Sequence, residues 1–78
     1  MEKDTFDRLV HLERLSQDAK WGEQNHTVQK WYMILGEEVG EVAKAILEHD
    51  SSQLGKELVQ VAAVCKAVYE SGKRNLWL

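Results

Sequence analysis

The chain has 78 residues, of which 44% are hydrophobic and 29% charged, and its formal net charge is −3. This length allows one small domain over residues 1–78, and the composition excludes a disordered chain, a collagen-like fibre and a disulfide scaffold. The acidic balance argues against a nucleic-acid partner, and no apolar run approaches the roughly 20 residues that span a bilayer. A charged N-terminus without an apolar segment and the single Cys65 predict a cytoplasmic protein.

The spacing of apolar residues predicts an all-α fold, a small bundle of three to four helices. Helices are expected at about residues 4–20, 27–48 and 52–71, joined by short loops. Asn25 or Thr27 is expected to cap the second helix. The first helix should bury one broad apolar face, formed by Phe6, Leu9, Val10, Leu12, Leu15 and Ala19.

The second helix contains Gly36 and Gly40, four residues apart and therefore on one face. Each glycine costs about 1 kcal/mol relative to alanine in a helix interior. Their shared face therefore predicts a close neighbour, either another helix or a ligand. After this helix, Asp50 followed by Gln53 resembles a capping box for the third.

The third helix is apolar around most of its circumference, which is typical of a helix buried on more than one side. In so small a protein the second side predicts another subunit, and thus an oligomer formed through helix faces. Gly72 is expected to end this helix, and the apolar tail after it to dock on the domain. The expected inner side consists of Leu54, Leu58, Val61, Ala62, Cys65, Val68 and Tyr69.

Three carboxylates, Glu37, Glu38 and Glu41, crowd one turn of the second helix. Like charges at these spacings destabilise an exposed helix by about 0.2–0.5 kcal/mol per pair. A solvated acidic face is the simplest interpretation of such a cluster. Glu38, however, lies in the same sector as Leu35 and Val42, so its carboxylate should face packed surface. A hard divalent cation, Mg²⁺ or Mn²⁺, would relieve the cost of burying it.

The third helix adds Glu57 and, three residues later on the same face, Gln60. If the second and third helices pack antiparallel, these side chains converge with Glu38 and Glu41 on one oxygen-rich pocket. Mg²⁺ in such a pocket keeps positions for water and for substrate phosphates. The pattern therefore favours phosphate-ester or phosphoanhydride chemistry.

The segments 21–26, 35–45 and 57–63, together with Trp31, resemble the MazG-like all-α nucleoside triphosphate pyrophosphohydrolases, which carry an EExxE motif followed by ExxD. The resemblance covers roughly residues 14 to 70. It implies a homodimer or homotetramer. It also implies Mg²⁺-dependent hydrolysis of a (d)NTP to (d)NMP and pyrophosphate, which would clear non-standard or excess deoxynucleotides.

The resemblance also implies roles for individual residues. Glu38, Glu41 and Glu57 would be metal ligands. Glu37 and Glu38 would be the catalytic residues, with Glu37 either ligating a metal or acting as base. Gln60 would occupy the fourth metal position, where the family has an aspartate. An amide coordinates more weakly than a carboxylate, or bonds a metal-bound water instead. This departure keeps open a catalytically weak nucleotide-binding or regulatory protein on the same fold. A helical module whose acidic cluster is only surface is a third alternative.

The resemblance places Trp21 and His26 in the region that contacts the base and sugar. Trp21 would either stack on the base or plug the end of the bundle, and His26 would either contact substrate or neighbour a helix cap. Lys44 would either meet a phosphate or pair with a nearby glutamate. Trp31 and Cys65 are expected in the core.

Overall fold

The computed structural model describes residues 2–78, and the side chains of residues 5–78. The chain forms three helices: α1 (Glu2–Trp21), α2 (Val28–Leu47) and α3 (Ser51–Arg74). α3 is central, because it packs against both α1 and α2. Residues 2–78 contain no strand, so the all-α prediction is confirmed for this part of the chain. None of these helices is long and apolar enough to cross a membrane.

The core lies between α2 and α3 and is built mainly from small side chains of α3. Trp31 of α2 is 3% exposed, and its indole Nε1 donates a hydrogen bond to Ser71 Oγ of α3 at 3.2 Å. Ala63, Ala67 and Ser71 are buried opposite it. These small residues allow the two helices to approach closely, so that the one large side chain of the core fits between them. The prediction that Trp31 is a core residue is confirmed.

The predicted inner side of α3 is wrong in part. Leu58 and Tyr69 are 46% and 59% exposed, and Cys65 is also exposed. A helix that is apolar around its circumference gives no periodicity from which to choose a face. The helix contact selects the small residues instead, because they permit the closest approach.

The predicted burial of the apolar face of α1 is also wrong for a single chain. Phe6, Leu9, Leu12 and Leu15 are 42–53% exposed. Gly36 and Gly40 likewise lack the expected neighbour, since a Cβ at either position would meet no described atom within 4 Å. One copy of the chain therefore leaves substantial apolar and small-residue surface uncovered.

The predicted helix caps are confirmed in both connections. Thr27 Oγ1 accepts a hydrogen bond from the Lys30 backbone N–H at 3.2 Å, and Asp50 Oδ1 accepts one from Gln53 N–H at 3.0 Å. The reciprocal half of the capping box is absent among the described side chains, because Gln53 Nε2 donates to Glu57 Oε1 instead. In the turn between α2 and α3, His49 adopts a left-handed conformation with φ 53°. The backbone N–H of Asp50 then donates a hydrogen bond to the Ala45 carbonyl.

The prediction that α3 ends at Gly72 is wrong, since Gly72 is a buried residue inside the helix. The predicted docking of the tail is confirmed. Trp77 and Leu78 both donate backbone hydrogen bonds to the Gly72 carbonyl, at 3.1 and 3.2 Å. A Cβ on Gly72 would lie 2.6 Å from the Leu78 side chain. Gly72 is therefore needed because the tail packs too closely against it to leave room for a side chain. The tail turns back at Leu76, which adopts a left-handed conformation with φ 63°.

Leu76→Gly should stabilise the protein by about 1 kcal/mol, because a left-handed residue with a Cβ costs roughly that much. Leu76 is 88% exposed, so little burial is lost. Met33→Gly is the matched control: Met33 is 69% exposed in the middle of α2, and its replacement should cost about 1 kcal/mol. Denaturant unfolding measures both. Equal destabilisation by the two glycines would contradict the assignment of the turn.

Candidate functional site

A cavity of about 360 Å³ opens between the C-terminal half of α1 and the middle of α2 and α3. We call it the main cavity, although a groove of about 390 Å³ between α1 and α3 is larger, because three predicted site residues line it. It brings together Trp21, Glu38 and Gln60, which come from three separate segments of the chain. Trp31 and Val64 supply buried apolar wall. Three of the residues singled out in the sequence therefore share one concave surface.

Glu38 is half-buried in this cavity, and its environment disfavours the ionised form. Burial raises the pKa of the Glu38 carboxyl, and the negative charges of neighbouring carboxylates raise it further. Glu57 of α3 has the largest effect among them, followed by Glu41 and Glu37 of α2 and Glu13 of α1. The carboxylates predicted to converge are thus close enough to repel one another across the helix contact.

The remaining predicted site residues lie apart from the main cavity. Glu41 and Lys44 line a second cavity of about 290 Å³ near the turn that joins α2 to α3. Glu57 is half-buried and accepts a hydrogen bond from Gln53 Nε2 at 2.7 Å. The carboxylates therefore form a row along the α2–α3 contact, with Lys44 at its far end.

Two further predicted residues have no direct place in the main cavity. Glu37 is exposed on α2. His26 is half-buried, and its ring meets Trp31 edge-on with 4.8 Å between ring centroids. His26 therefore contacts Trp31, which lines the main cavity, but does not line the cavity itself. It lies before the start of α2, whereas Lys44 lies in the last turn of that helix.

The donor chemistry of this row fits a hard divalent cation. Glu38, Glu41 and Glu57 offer carboxylate oxygens, and their mutual repulsion is what a bound cation would relieve. Within the described residues no three His, Cys, Asp or Glu side chains are already gathered as a ligand set. Binding of an ion would therefore require these flexible glutamates to change rotamer.

Sequence reasoning missed the contribution of α1 to the site. Glu13, Gln17, Lys20 and Gln24 all line the main cavity. Gln24 lies in the connection after α1. The spacing of four and three residues between Glu13, Gln17 and Lys20 forms a helical stripe on α1 that was available in the sequence. It was hidden because the neighbouring apolar stripe of α1 was expected to face inward.

A chain of hydrogen bonds fixes this side of α1 on α3. Arg14 Nη2 donates to Glu70 Oε1 at 2.7 Å, and Arg14 Nη1 donates to Gln17 Oε1 at 3.1 Å. Gln17 Nε2 then lies 3.3 Å from Glu13 Oε2 and 3.5 Å from Gln60 Oε1. The Arg14 side chain is 12% exposed and that of Glu70 is 39% exposed, so this ion pair is partly shielded from solvent. The chain links the α1–α3 contact directly to Gln60.

The raised pKa of Glu38 predicts a pH dependence of the unliganded protein. The folded state retains a proton on this carboxyl at pH values where the unfolded chain has lost it. The free energy of unfolding should therefore fall as pH rises from the ordinary value of 4.5 through the raised pKa, and stay lower above it. Urea unfolding at a series of pH values measures this. Glu38→Gln should be more stable than wild type at neutral pH, and the difference should shrink on acidification. A constant difference at every pH would contradict the shift.

The site thus combines an aromatic rim, a row of carboxylates and a chain of polar side chains from α1. Trp21 and Lys20 form the outer edge, with Lys20 Nζ 5.2 Å from the centre of the Trp21 ring. Comparison of the chain with protein-family models, with characterised proteins and with solved structures finds no match.

Proposed function

We propose that this chain is a metal-dependent nucleoside triphosphate pyrophosphohydrolase, which cleaves a (d)NTP to (d)NMP and pyrophosphate and so clears non-standard or excess deoxynucleotides. The observation that carries the proposal is the main cavity, where Trp21, Glu38 and Gln60 meet beside a row of mutually repelling carboxylates. Such a site suits a ligand with an aromatic base at one end and a metal-bound polyphosphate at the other.

Glu38, Glu41 and Glu57 would hold Mg²⁺ or Mn²⁺, with Gln60 as the fourth polar group of the set. The ion would neutralise the leaving pyrophosphate and lower the pKa of water. Glu37, which is exposed one residue before Glu38 and outside the main cavity, would accept a proton from the attacking water. Because Glu38 is half-buried, its attraction to a cation would be screened less than that of a fully exposed carboxylate.

The nucleotide base would stack on Trp21, which is 62% exposed at the rim of the cavity. Stacking on an aromatic ring is worth about 1–3 kcal/mol per base. Lys20 lies beside this ring and lines the same cavity, so it would supply a positive charge to the bound nucleotide. His26 would act through Trp31, and Lys44 would serve a phosphate at the far end of the carboxylate row or balance Glu41.

The exposed apolar surface supports a homodimer or homotetramer. A chain this small buries only about 60% of its unfolded surface, and this one leaves its α1 stripe half-exposed. Light scattering after gel filtration measures the mass. Leu9→Lys should lower it to that of one chain if α1 forms the contact.

The function is tested by pyrophosphate release from a panel of NTPs and dNTPs, with and without Mg²⁺, in wild type and Glu41→Ala. Release that requires Mg²⁺ and is lost in the variant supports the proposal and names the substrate. Absence of release from every nucleotide contradicts it.

The second candidate is a nucleotide-binding regulatory protein on the same fold. The amide of Gln60 favours it, because the site then has one carboxylate fewer to hold the metal. Tight binding of a nucleotide without release of pyrophosphate would support this candidate over the first.

A further inference from the structure

The hydrogen-bond chain from α1 determines which way the Gln60 amide is turned. Arg14 has only donors, so the Gln17 atom 3.1 Å from Arg14 Nη1 must be the oxygen. The Gln17 NH₂ group then faces Glu13 Oε2 and Gln60. Since an NH₂ group needs an acceptor, the Gln60 atom that faces it is the oxygen, at 3.5 Å, a long hydrogen bond that is weaker than the one to Glu13. Arg14 thus determines the orientation of the Gln17 amide, and Gln17 in turn determines that of Gln60.

This orientation leaves the Gln60 NH₂ group without a partner. Among the side chains of residues 5–78, Gln60 is hydrogen-bonded through its oxygen alone. In the same part of the chain, Arg14 Nε is the single buried side-chain nitrogen or oxygen that lacks a partner. Nε2 of the half-buried Gln60 therefore has accessible surface, and Gln60 lines both the main cavity and a groove of about 390 Å³ between α1 and α3.

We propose that Gln60 serves as a hydrogen-bond donor to a phosphate oxygen of the bound nucleotide, held in that orientation by Gln17 and Arg14, rather than as a metal ligand. The inference rests on the proposed function and refines it. An aspartate here would offer the metal a further charge but would repel the phosphates. Compared with an aspartate at this position, the Gln60 amide offers the metal one oxygen fewer and offers the phosphates one hydrogen-bond donor more.

The deciding variant is Gln60→Glu, which keeps the shape of the side chain and replaces NH₂ by an oxygen. The probes are the α,β-imido analogues of the dNTPs with Mg²⁺, which resist cleavage, and Mn²⁺ alone, followed by its electron paramagnetic resonance. The donor role predicts that analogue affinity falls about tenfold to a hundredfold while Mn²⁺ affinity is unchanged or higher. Unchanged or tighter analogue binding would overturn the proposal.

Gln29→Glu is the matched control, since Gln29 is exposed on α2 about two and a half turns before Glu38 and therefore on the opposite face of the helix. It introduces the same charge and should leave both affinities within about twofold. If wild type binds no analogue at all, the proposed function fails together with this inference. If wild type binds and Gln60→Glu binds equally well, the donor role alone fails.

Gln17 is a positioning residue in this scheme, and its role has a separate test. Gln17→Glu removes the NH₂ group that holds the Gln60 oxygen, so Gln60 should turn its own NH₂ group towards the new carboxylate. Analogue affinity should then fall several-fold without loss of Mn²⁺ affinity.

A measurement on wild type guards against misfolding of either variant. In a ¹⁵N-resolved NMR spectrum, the Gln60 side-chain NH₂ signal should shift when the analogue and Mg²⁺ are added, and the Gln29 signal should stay in place. A Gln60 signal that does not respond to bound analogue would overturn the donor role.

Discussion

Glu38→Gln should remove both the Mg²⁺-dependent pyrophosphate release and the stabilisation of the protein by Mg²⁺. Glu38 is a half-buried carboxylate of the main cavity, and its pKa is raised by burial and by the neighbouring carboxylates. Loss of a metal ligand costs several kcal/mol of transition-state stabilisation, so the rate should fall by more than about a hundredfold. Wild type should gain about 2.7 kcal/mol of stability at a Mg²⁺ concentration 100 times its Kd, and the variant almost none.

Asp7→Asn controls for the loss of one negative charge, since Asp7 is exposed on α1. It should keep the wild-type rate and the Mg²⁺-induced rise in melting temperature. The same Glu38→Gln protein without Mg²⁺ should melt above wild type at neutral pH, because a repelled carboxylate has been removed. A variant that is less stable without metal and yet retains turnover would contradict the assigned role of Glu38.

Trp31→Ala should remove a large part of the free energy of unfolding. Trp31 is the largest side chain of the core, and truncating a buried aromatic residue costs about 3–5 kcal/mol. The free energy of unfolding of a domain of this length is roughly 4–12 kcal/mol, so the substitution should remove a large fraction of it. Circular dichroism and urea unfolding measure the effect.

Two further tryptophan variants serve as comparisons for Trp31→Ala. Trp31→Phe keeps an aromatic ring but removes the bond from Nε1 to Ser71, and should cost about 1–3 kcal/mol. Trp21→Ala should cost about 1 kcal/mol or less, because Trp21 is 62% exposed, yet it should weaken nucleotide binding. Equal destabilisation by Trp21→Ala and Trp31→Ala would contradict the placement of the core.

The helices and their starts could be predicted because their signals are local. Thr27 and Asp50 cap helices through their own side chains, a pattern visible in a few consecutive residues. The inner face of α3 could not be predicted, because its apolar residues surround the helix and the choice depends on which neighbour packs closest. The end of α3 was also missed, since Gly72 looks like a stop signal until the returning tail is present to cover it.

The candidate site follows the same division. The i, i+3 spacing on each helix gives Glu38 with Glu41 and Glu57 with Gln60. The α2–α3 contact places Glu38 and Gln60 in the main cavity and Glu57 near enough to raise the pKa of Glu38, while Glu41 lines a separate cavity. The part played by Gln17 is tertiary, because it depends on how Arg14 docks α1 on α3 through Glu70. No spacing along a single helix encodes that contact.

The central claim is tested most directly by ³¹P NMR of the products formed from the best dNTP by the wild-type protein with Mg²⁺. We predict that the three phosphate signals of the substrate are replaced by those of a nucleoside monophosphate and pyrophosphate. Signals of a nucleoside diphosphate and orthophosphate, or a substrate that persists unchanged while it binds, would contradict the account.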